Sequence, residues 1–278
     1  MKKYFVFALV LLATTAGFAQ KRRSTNPPPT TQAQDTTSAL QKALRNAPPP
    51  PPPPAKPGKK DWSKVKLDPK KAADHFMIEL GYDNWANTPD SIHIQGFNRS
   101  FNFYFMYNFP FKSDVRWSVA AGIGIGSSNI FFHNQEVLVN ASFTNQTLAF
   151  PDETGNTHFK KYKLVFTYLE VPIELRFAVD PTDMDHSWKV AVGAKVGLML
   201  SAYTKGKDLI SGSGASQGNY IEKESSKAFF NTPKFEPTIR VSKGVVGIFG
   251  QFQINSPIKA SAGPAVFPFS TGIVLSGL

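Results

Sequence analysis

The chain has 278 residues with no Cys, 22 Pro, and 31 Lys and Arg against 20 Asp and Glu. The absence of Cys excludes a disulfide framework, a lipoprotein anchor and a Cys-based metal site. A net charge of +11 would suggest nucleic acid as a partner, but residues 20–73 hold 12 Lys and Arg against 3 Asp, whereas residues 74–278 hold 17 of each sign. The positive charge therefore belongs to one N-terminal segment and not to the bulk of the chain.

That segment is predicted to lie outside the cytoplasm. Residues 1–19 have a basic start, an apolar run and small residues before a cleavage point, as in a signal peptide. Residues 20–73 are predicted to be a disordered, basic, Pro-rich periplasmic tail, with seven consecutive prolines at 48–54 forming a polyproline II rod. Such a tail could bind peptidoglycan or another acidic periplasmic partner, or act as a spacer. Nucleic acid is not expected as a partner.

From residue 74 to the end the hydrophobic pattern has a period of two. Eight strands are predicted, with cores at 76–82, 97–109, 115–126, 162–177, 187–203, 235–242, 245–255 and 266–276. The connections alternate between long and short, as they do in an outer-membrane barrel with both termini in the periplasm. The fold class is therefore predicted as all-β: an eight-stranded antiparallel up-and-down transmembrane β-barrel spanning residues 74–278, in a Gram-negative outer membrane with its lipid.

One face of each predicted strand is apolar, and the other is polar or small. In the fifth strand Trp188, Val190 and Val192 alternate with Lys189, Ala191 and Gly193, with Met199 as the exception. The apolar face should contact lipid, and the other should line the lumen. The inward set is predicted to form an ion-pair network that closes a lumen just wide enough for side chains. Its members are Glu79, Arg116, Glu170, Glu174, Arg176, Lys189, Lys195, Glu236 and Arg240.

The fourth strand carries a recognisable motif, Tyr168-Leu169-Glu170-Val171-Pro172-Ile173-Glu174-Leu175-Arg176-Phe177. It resembles the "Tyr-Leu-Glu-x-Pro-x-x-Leu-x-Phe" strand of the PorT-like outer-membrane β-barrel family of Bacteroidota. The motif positions are Tyr168, Leu169, Glu170, Pro172, Leu175 and Phe177. The resemblance implies a barrel over residues 74–278, and some members of that family belong to secretion and gliding machinery. Prolines inside strands are expected to cause a bulge or an unpaired carbonyl.

No enzyme signature, cofactor motif or metal-ligand spacing is present, so a non-enzymatic role in interaction or anchoring is expected. Two alternatives stay open. A lipid-modifying enzyme of the outer membrane would need a His, Ser and acid cluster at the outer rim, where His93 and His133 are the candidates. A soluble lipocalin-like carrier would need an apolar interior. Binding is expected in the long connections 127–161 and 204–234, the first extending as a hairpin and the second mobile.

Overall fold

The computed structural model describes residues 60–65, 75–139 and 147–277. The predicted signal peptide, most of the predicted tail and the predicted boundary at residue 74 lie outside these ranges. No helix in the described part is long and apolar enough to cross a membrane. The strands are β1 (Phe76–Ala86), β2 (Asn98–Pro110), β3 (Trp117–Phe132), β4 (His158–Ala178), β5 (Trp188–Ile210), β6 (Ser216–Ser225), β7 (Pro233–Lys243), β8 (Val246–Phe252) and β9 (Phe267–Ser276).

Eight of these strands close into a ring. Each pairs antiparallel with its neighbour in the order β1-β2-β3-β4-β5-β7-β8-β9, and β9 returns to β1 through ten residue pairs. Closure removes the free edges that would otherwise expose unpaired backbone groups. The ring confirms the predicted eight-stranded antiparallel up-and-down barrel, and the eight strands fall where the period-two pattern places them.

The strand outside the ring, β6, lies in the connection 204–234, where the sequence pattern predicted no strand. The first part of β5 pairs with β7, but its last part, from Tyr203 to Ile210, pairs with β6 instead. The predicted mobile loop thus contains a hairpin that continues beyond the ring. The β3–β4 connection also continues as a hairpin, through bridges such as Leu138 to Ala149, as its apolar patches predicted.

The two ends of the barrel differ in the length of their connections. At the end called here the turn end, strands are joined by residues 111–116, 179–187 and 244–245. At the opposite, loop end lie the connections 87–97, 133–157, 211–232 and 253–266. The tightest turn needs Gly244, whose φ is +59° and whose N–H donates to the carbonyl of Ser187 at 3.0 Å.

The prolines inside strands interrupt hydrogen-bonded ladders without shifting their register. The β3–β4 ladder stops at Ala121–Ile173 and resumes in the same register at Gly124–Glu170, leaving a gap beside Pro172. Pro237 lies where the β7–β8 ladder begins, since the first pair is Thr238 with Gln251. Proline has no N–H to donate, which explains both interruptions. The register continues past Pro172 in the β3–β4 and β4–β5 ladders and past Pro237 in the β5–β7 ladder, with no bulge at either proline.

The register shift between β4 and β5 lies elsewhere, opposite Thr167 and Tyr168. Tyr168 pairs with Met199 while Thr167 pairs with Ser201, so Leu200 is the extra residue on β5. Met199 precedes the bulge and is buried in phase with Lys195 and Gly197, whereas after the bulge the buried positions begin again at Ala202. Met199 is an exception in the sequence because it is apolar on the lumen face, where it joins the apolar core of the loop end. The bulge moves Ser201 off the lumen face and puts Ala202 there instead.

Candidate functional site

The middle of the lumen is occupied by two charge clusters. In the first, Lys195 is 1% exposed, and its Nζ donates to Glu79 Oε2 at 2.6 Å and to Gln251 Oε1 at 2.7 Å. Asn102 Nδ2 donates to the same carboxylate oxygen at 2.9 Å. The ammonium also lies 4.7 Å from the ring centroid of Tyr104. A buried ammonium needs partners of this kind because desolvation of an isolated charge is very costly.

In the second cluster one cation lies between two carboxylates. Lys234 Nζ is 2.9 Å from Glu170 Oε1 and 2.9 Å from Glu236 Oε2. The other oxygen of Glu170 accepts a hydrogen bond of 2.5 Å from the hydroxyl of Tyr104. The ring of Tyr168, from the motif strand, lies 5.2 Å from Lys234 Nζ. Tyr104 thus contacts both clusters and joins them into one network.

A third cluster lies nearer the turn end. Arg176 Nε and Arg240 Nη2 both donate to Glu174 Oε2 at 2.8 Å, and Arg240 Nη1 donates to the hydroxyl of Ser276 at 3.0 Å. A cavity of about 20 Å³ beside it is lined by Lys189 among others. That volume is comparable to the space one water molecule needs. Towards the loop end, Asp83 accepts hydrogen bonds from Ser128 and Ser270.

Arg116 does not join these clusters. It precedes β3 and lies in the turn, where its Nη2 is 2.6 Å from Asp114 Oδ2 and its side chain is 34% exposed. The Arg116 guanidinium lowers the pKa of the Asp114 carboxyl through this hydrogen bond. The alternation was extended one residue too far, into a connection in which the strand pattern no longer applies.

Two charged residues of the lumen were missed by the sequence analysis, Asp83 and Lys234. Both are buried, and both continue the inward alternation just beyond the strand limits that were predicted. With them the described lumen charges balance, five against five. The carboxylates are Glu79, Asp83, Glu170, Glu174 and Glu236, and the cations are Arg176, Lys189, Lys195, Lys234 and Arg240.

The motif strand divides between the two faces of the barrel. Tyr168, Glu170 and Pro172 are buried, whereas Leu175 is 44% exposed. Leu169 is partly exposed on the outward face. Phe177 lies against Trp117 at 4.9 Å between ring centroids, at the turn end. The motif therefore supplies one member of the charge network and part of the outer aromatic surface.

The loop end of the lumen is closed by an apolar core. Residues of several loops contribute to it, and it continues down to Tyr168 and Met199 inside the barrel. The loop residues are Ile92, Val137, Val139, Leu148, Phe229, Phe230, Ile258, Ala262 and Val266. A second apolar cluster around Met77, Met106 and Phe249 packs beside the charges. The lumen is therefore filled along its length by side chains.

His93 and His133 lie at the loop end and are both exposed. Their main chains are joined, because the N–H of His133 donates to the carbonyl of His93 at 3.0 Å. The hairpins that continue beyond the ring at the loop end carry Glu136, Glu222 and Glu224, which line a small cavity. Burial, followed by repulsion from neighbouring carboxylates, raises the pKa of Glu136.

The outside of the barrel is a wide apolar band. Outward residues of every strand in the ring are exposed although they are large and apolar, for example Phe103 at 41%, Ile173 at 51%, Val192 at 55% and Ile248 at 66%. Soluble proteins rarely expose a continuous apolar surface of this extent. A barrel that is apolar outside and charged inside has the opposite polarity to a lipocalin-like carrier.

Comparison with known proteins identifies a matching family. Residues 75–253 match the family described as outer membrane protein beta-barrel domain. Among solved structures, Ail, the attachment invasion locus protein of Yersinia pestis, crystallised with the heparin analogue sucrose octasulfate, is 13% identical and covers 72% of this chain and 94% of its own, with a TM-score of 0.31. That TM-score is too low to support a functional inference. The comparison with curated protein sequences finds no match.

Proposed function

This chain belongs to the outer membrane protein β-barrel family, and we propose that it is a non-enzymatic, PorT-like member that acts by interaction or anchoring. The observation that carries the proposal is the filled lumen. Five buried carboxylates and five buried cations occupy it, and an apolar core closes its loop end. A barrel without an internal passage presents its partners with only three surfaces: its loops, its lipid face and its N-terminal segment. Association with a secretion or gliding machine is the specific role that the family resemblance favours.

We propose that the turn end faces the periplasm. Short turns on the periplasmic side and long loops outside are usual in this class of barrel. The last described residues of the tail lie at the same end, so we expect the tail and the turn end on one side of the membrane. Lys60 Nζ lies 3.3 Å from Thr182 Oγ1 and 3.9 Å from Asp180 Oδ1, both in a connection at the turn end. The Trp62 ring lies 5.5 Å from Arg116 at the same end.

Orientation can be tested with a protease site placed in the exposed turn 211–215 of the loop end. Added protease should cleave this site in intact cells, while a site placed in the tail near residue 30 should be cleaved only after the outer membrane is permeabilised. The matched pair controls for cell lysis. Cleavage of the tail site, and not the loop site, in intact cells would overturn the proposed orientation.

The tail should add salt-sensitive binding to an acidic periplasmic partner, for which purified peptidoglycan is the probe. It carries 12 Lys and Arg against 3 Asp, beside a barrel segment with equal numbers of each sign. Attraction between exposed charges weakens as the Debye length falls from about 10 Å at 0.1 M salt to about 3 Å at 1 M. Full-length protein should therefore co-sediment with peptidoglycan at low salt, and protein lacking residues 20–59 should not. Equal sedimentation of both forms would make the tail a spacer.

An affinity pull-down from outer membranes, with the tail present and absent, would then identify partners of the barrel itself. Partners retained without the tail should depend on the loop end. If the protein were instead a lipid-modifying enzyme, deletion of the gene would change the chemical structure of lipid A. We expect lipid A to be unchanged and the pull-down to capture envelope proteins.

A further inference from the structure

A concavity of about 540 Å³ opens on the outward face of the barrel near the loop end, and its lining changes from apolar to cationic. Its apolar part includes Leu80 and Phe101, which are 52% and 49% exposed and continue into the apolar band. Its polar part includes Arg99, Asn129 and Lys163. Ligand pockets in proteins commonly have volumes of roughly 300–1,000 Å³. A concavity of this size beside the apolar band has room for part of a lipid molecule.

The cationic side is held in place by local contacts. Lys163 Nζ donates to Asn129 Oδ1 at 2.7 Å. The same ammonium lies 5.6 Å from the centroid of the Phe131 ring, and the Arg99 guanidinium lies 5.5 Å from that centroid. Arg99 also lies 5.1 Å from the ring of Phe97. The two cations therefore lie beside one aromatic ring, which orders them without neutralising their charge.

Further cations form a row with Lys163 across β4, β5 and the hairpin strand β6, which lies beyond the ring. Lys163 pairs across the strands with Lys205, and Lys205 pairs with Lys223. Like charges directly opposite each other destabilise a sheet. Within the described residues, Arg99, Lys163 and Lys205 form no ion pair with a carboxylate, whereas carboxylates accompany the cations of the lumen. In the part of the chain that the structure describes, the outward row therefore has no carboxylate in an ion pair with Arg99, Lys163 or Lys205.

We propose that this concavity binds a lipid carrying a phosphate monoester, with the phosphate between Arg99 and Lys163 and an acyl chain along Leu80 and Phe101. Guanidinium and ammonium groups are the usual protein partners of phosphate oxygens. The lipid would neutralise the cationic row and fill the apolar part of the concavity at the same time. The assignment of this lipid to the outer leaflet rests on the orientation proposed above. The proposed binding of a phosphate and an acyl chain does not depend on that orientation.

Native mass spectrometry of the full chain in non-ionic detergent tests the proposal, with dioleoyl phosphatidic acid as the probe. Dioleoylglycerol has the same chains without the phosphate and should bind at least tenfold more weakly. Inorganic phosphate at the same concentration should not displace the lipid. Binding of dioleoylglycerol equal to that of phosphatidic acid would overturn the phosphate assignment, and displacement by inorganic phosphate would overturn the lipid assignment.

The double variant Arg99→Gln/Lys163→Gln should bind phosphatidic acid at least tenfold more weakly than the wild type. The double variant Lys207→Gln/Lys227→Gln removes the same charge from exposed positions of the loop end and should stay within twofold. Heat-modifiable gel migration verifies that both variants fold. Wild-type binding should also weaken between 0.1 and 0.5 M salt, a measurement that needs no variant. Unchanged binding in the first variant, or no response to salt, would overturn the site. Because these assays use detergent, they remain valid if the barrel proves to have the opposite orientation.

Discussion

The most direct test of the lumen network is the substitution Lys195→Met. The side chain is 1% exposed and donates to Glu79 at 2.6 Å and to Gln251 at 2.7 Å. Met has a similar length but no charge, so the change leaves the Glu79 carboxylate buried with a hydrogen bond from Asn102 alone. Removal of one partner from a buried ion pair costs about 3–5 kcal/mol. We expect a loss of that size in the free energy of unfolding.

The matched controls follow from the two faces of the barrel. Val192 is 55% exposed on the lipid face, and Val192→Ala should cost less than about 1 kcal/mol because lipid can fill the space, as for other exposed positions. The double variant Glu79→Gln/Lys195→Met removes both charges and should be more stable than Lys195→Met alone, since a buried pair replaced by neutral groups is often tolerated.

Urea titration of the barrel refolded into lipid vesicles, followed by tryptophan fluorescence and heat-modifiable gel migration, gives these free energies. Equal and small losses for Lys195→Met and Val192→Ala would refute the assignment of the inner and outer faces. A double variant less stable than Lys195→Met would refute the pairing of Lys195 with Glu79.

Three other outcomes are expected. Gly126→Ala should destabilise the barrel, because a methyl group there would lie 2.5 Å from Glu170 Oε1, whereas Gly250→Ala should be tolerated, since its nearest neighbour would be 3.7 Å away; unfolding in urea compares the two. The folded pKa of Glu136 is raised, so the folded loop end is favoured as the pH falls through that pKa. Glu136→Gln should therefore increase the protection of the loop-end hairpins from hydrogen exchange at neutral pH but not at acid pH. An increase in protection that is independent of pH would contradict this. The filled lumen should give no stable conductance in planar bilayers, and a defined channel would show that the charge network opens.

The strands themselves could be predicted because their signal is local. Large apolar residues alternate with small or charged ones, and this alternation shows which face of each strand contacts lipid. The alternation of long and short connections indicates the direction of each strand. This information alone places Lys195, Glu170 and Arg240 inside the barrel. It fails at strand ends, and for that reason Arg116 was assigned to the lumen while Asp83 and Lys234 were missed.

The order of contacts within the lumen was decided by the tertiary structure. Lys195 and Glu79 are 116 residues apart, and Arg240 and Glu174 are 66 apart, so their pairing depends on the stagger of the closed ring and not on sequence spacing. The bulge at Leu200, the β6 hairpin and the apolar core built from the loops also depend on distant contacts. The local alternation of residues is thus enough to predict a barrel with a charged interior. Only closure of the ring decided which charges meet, because the heights of residues from different strands are fixed when the last strand pairs with the first.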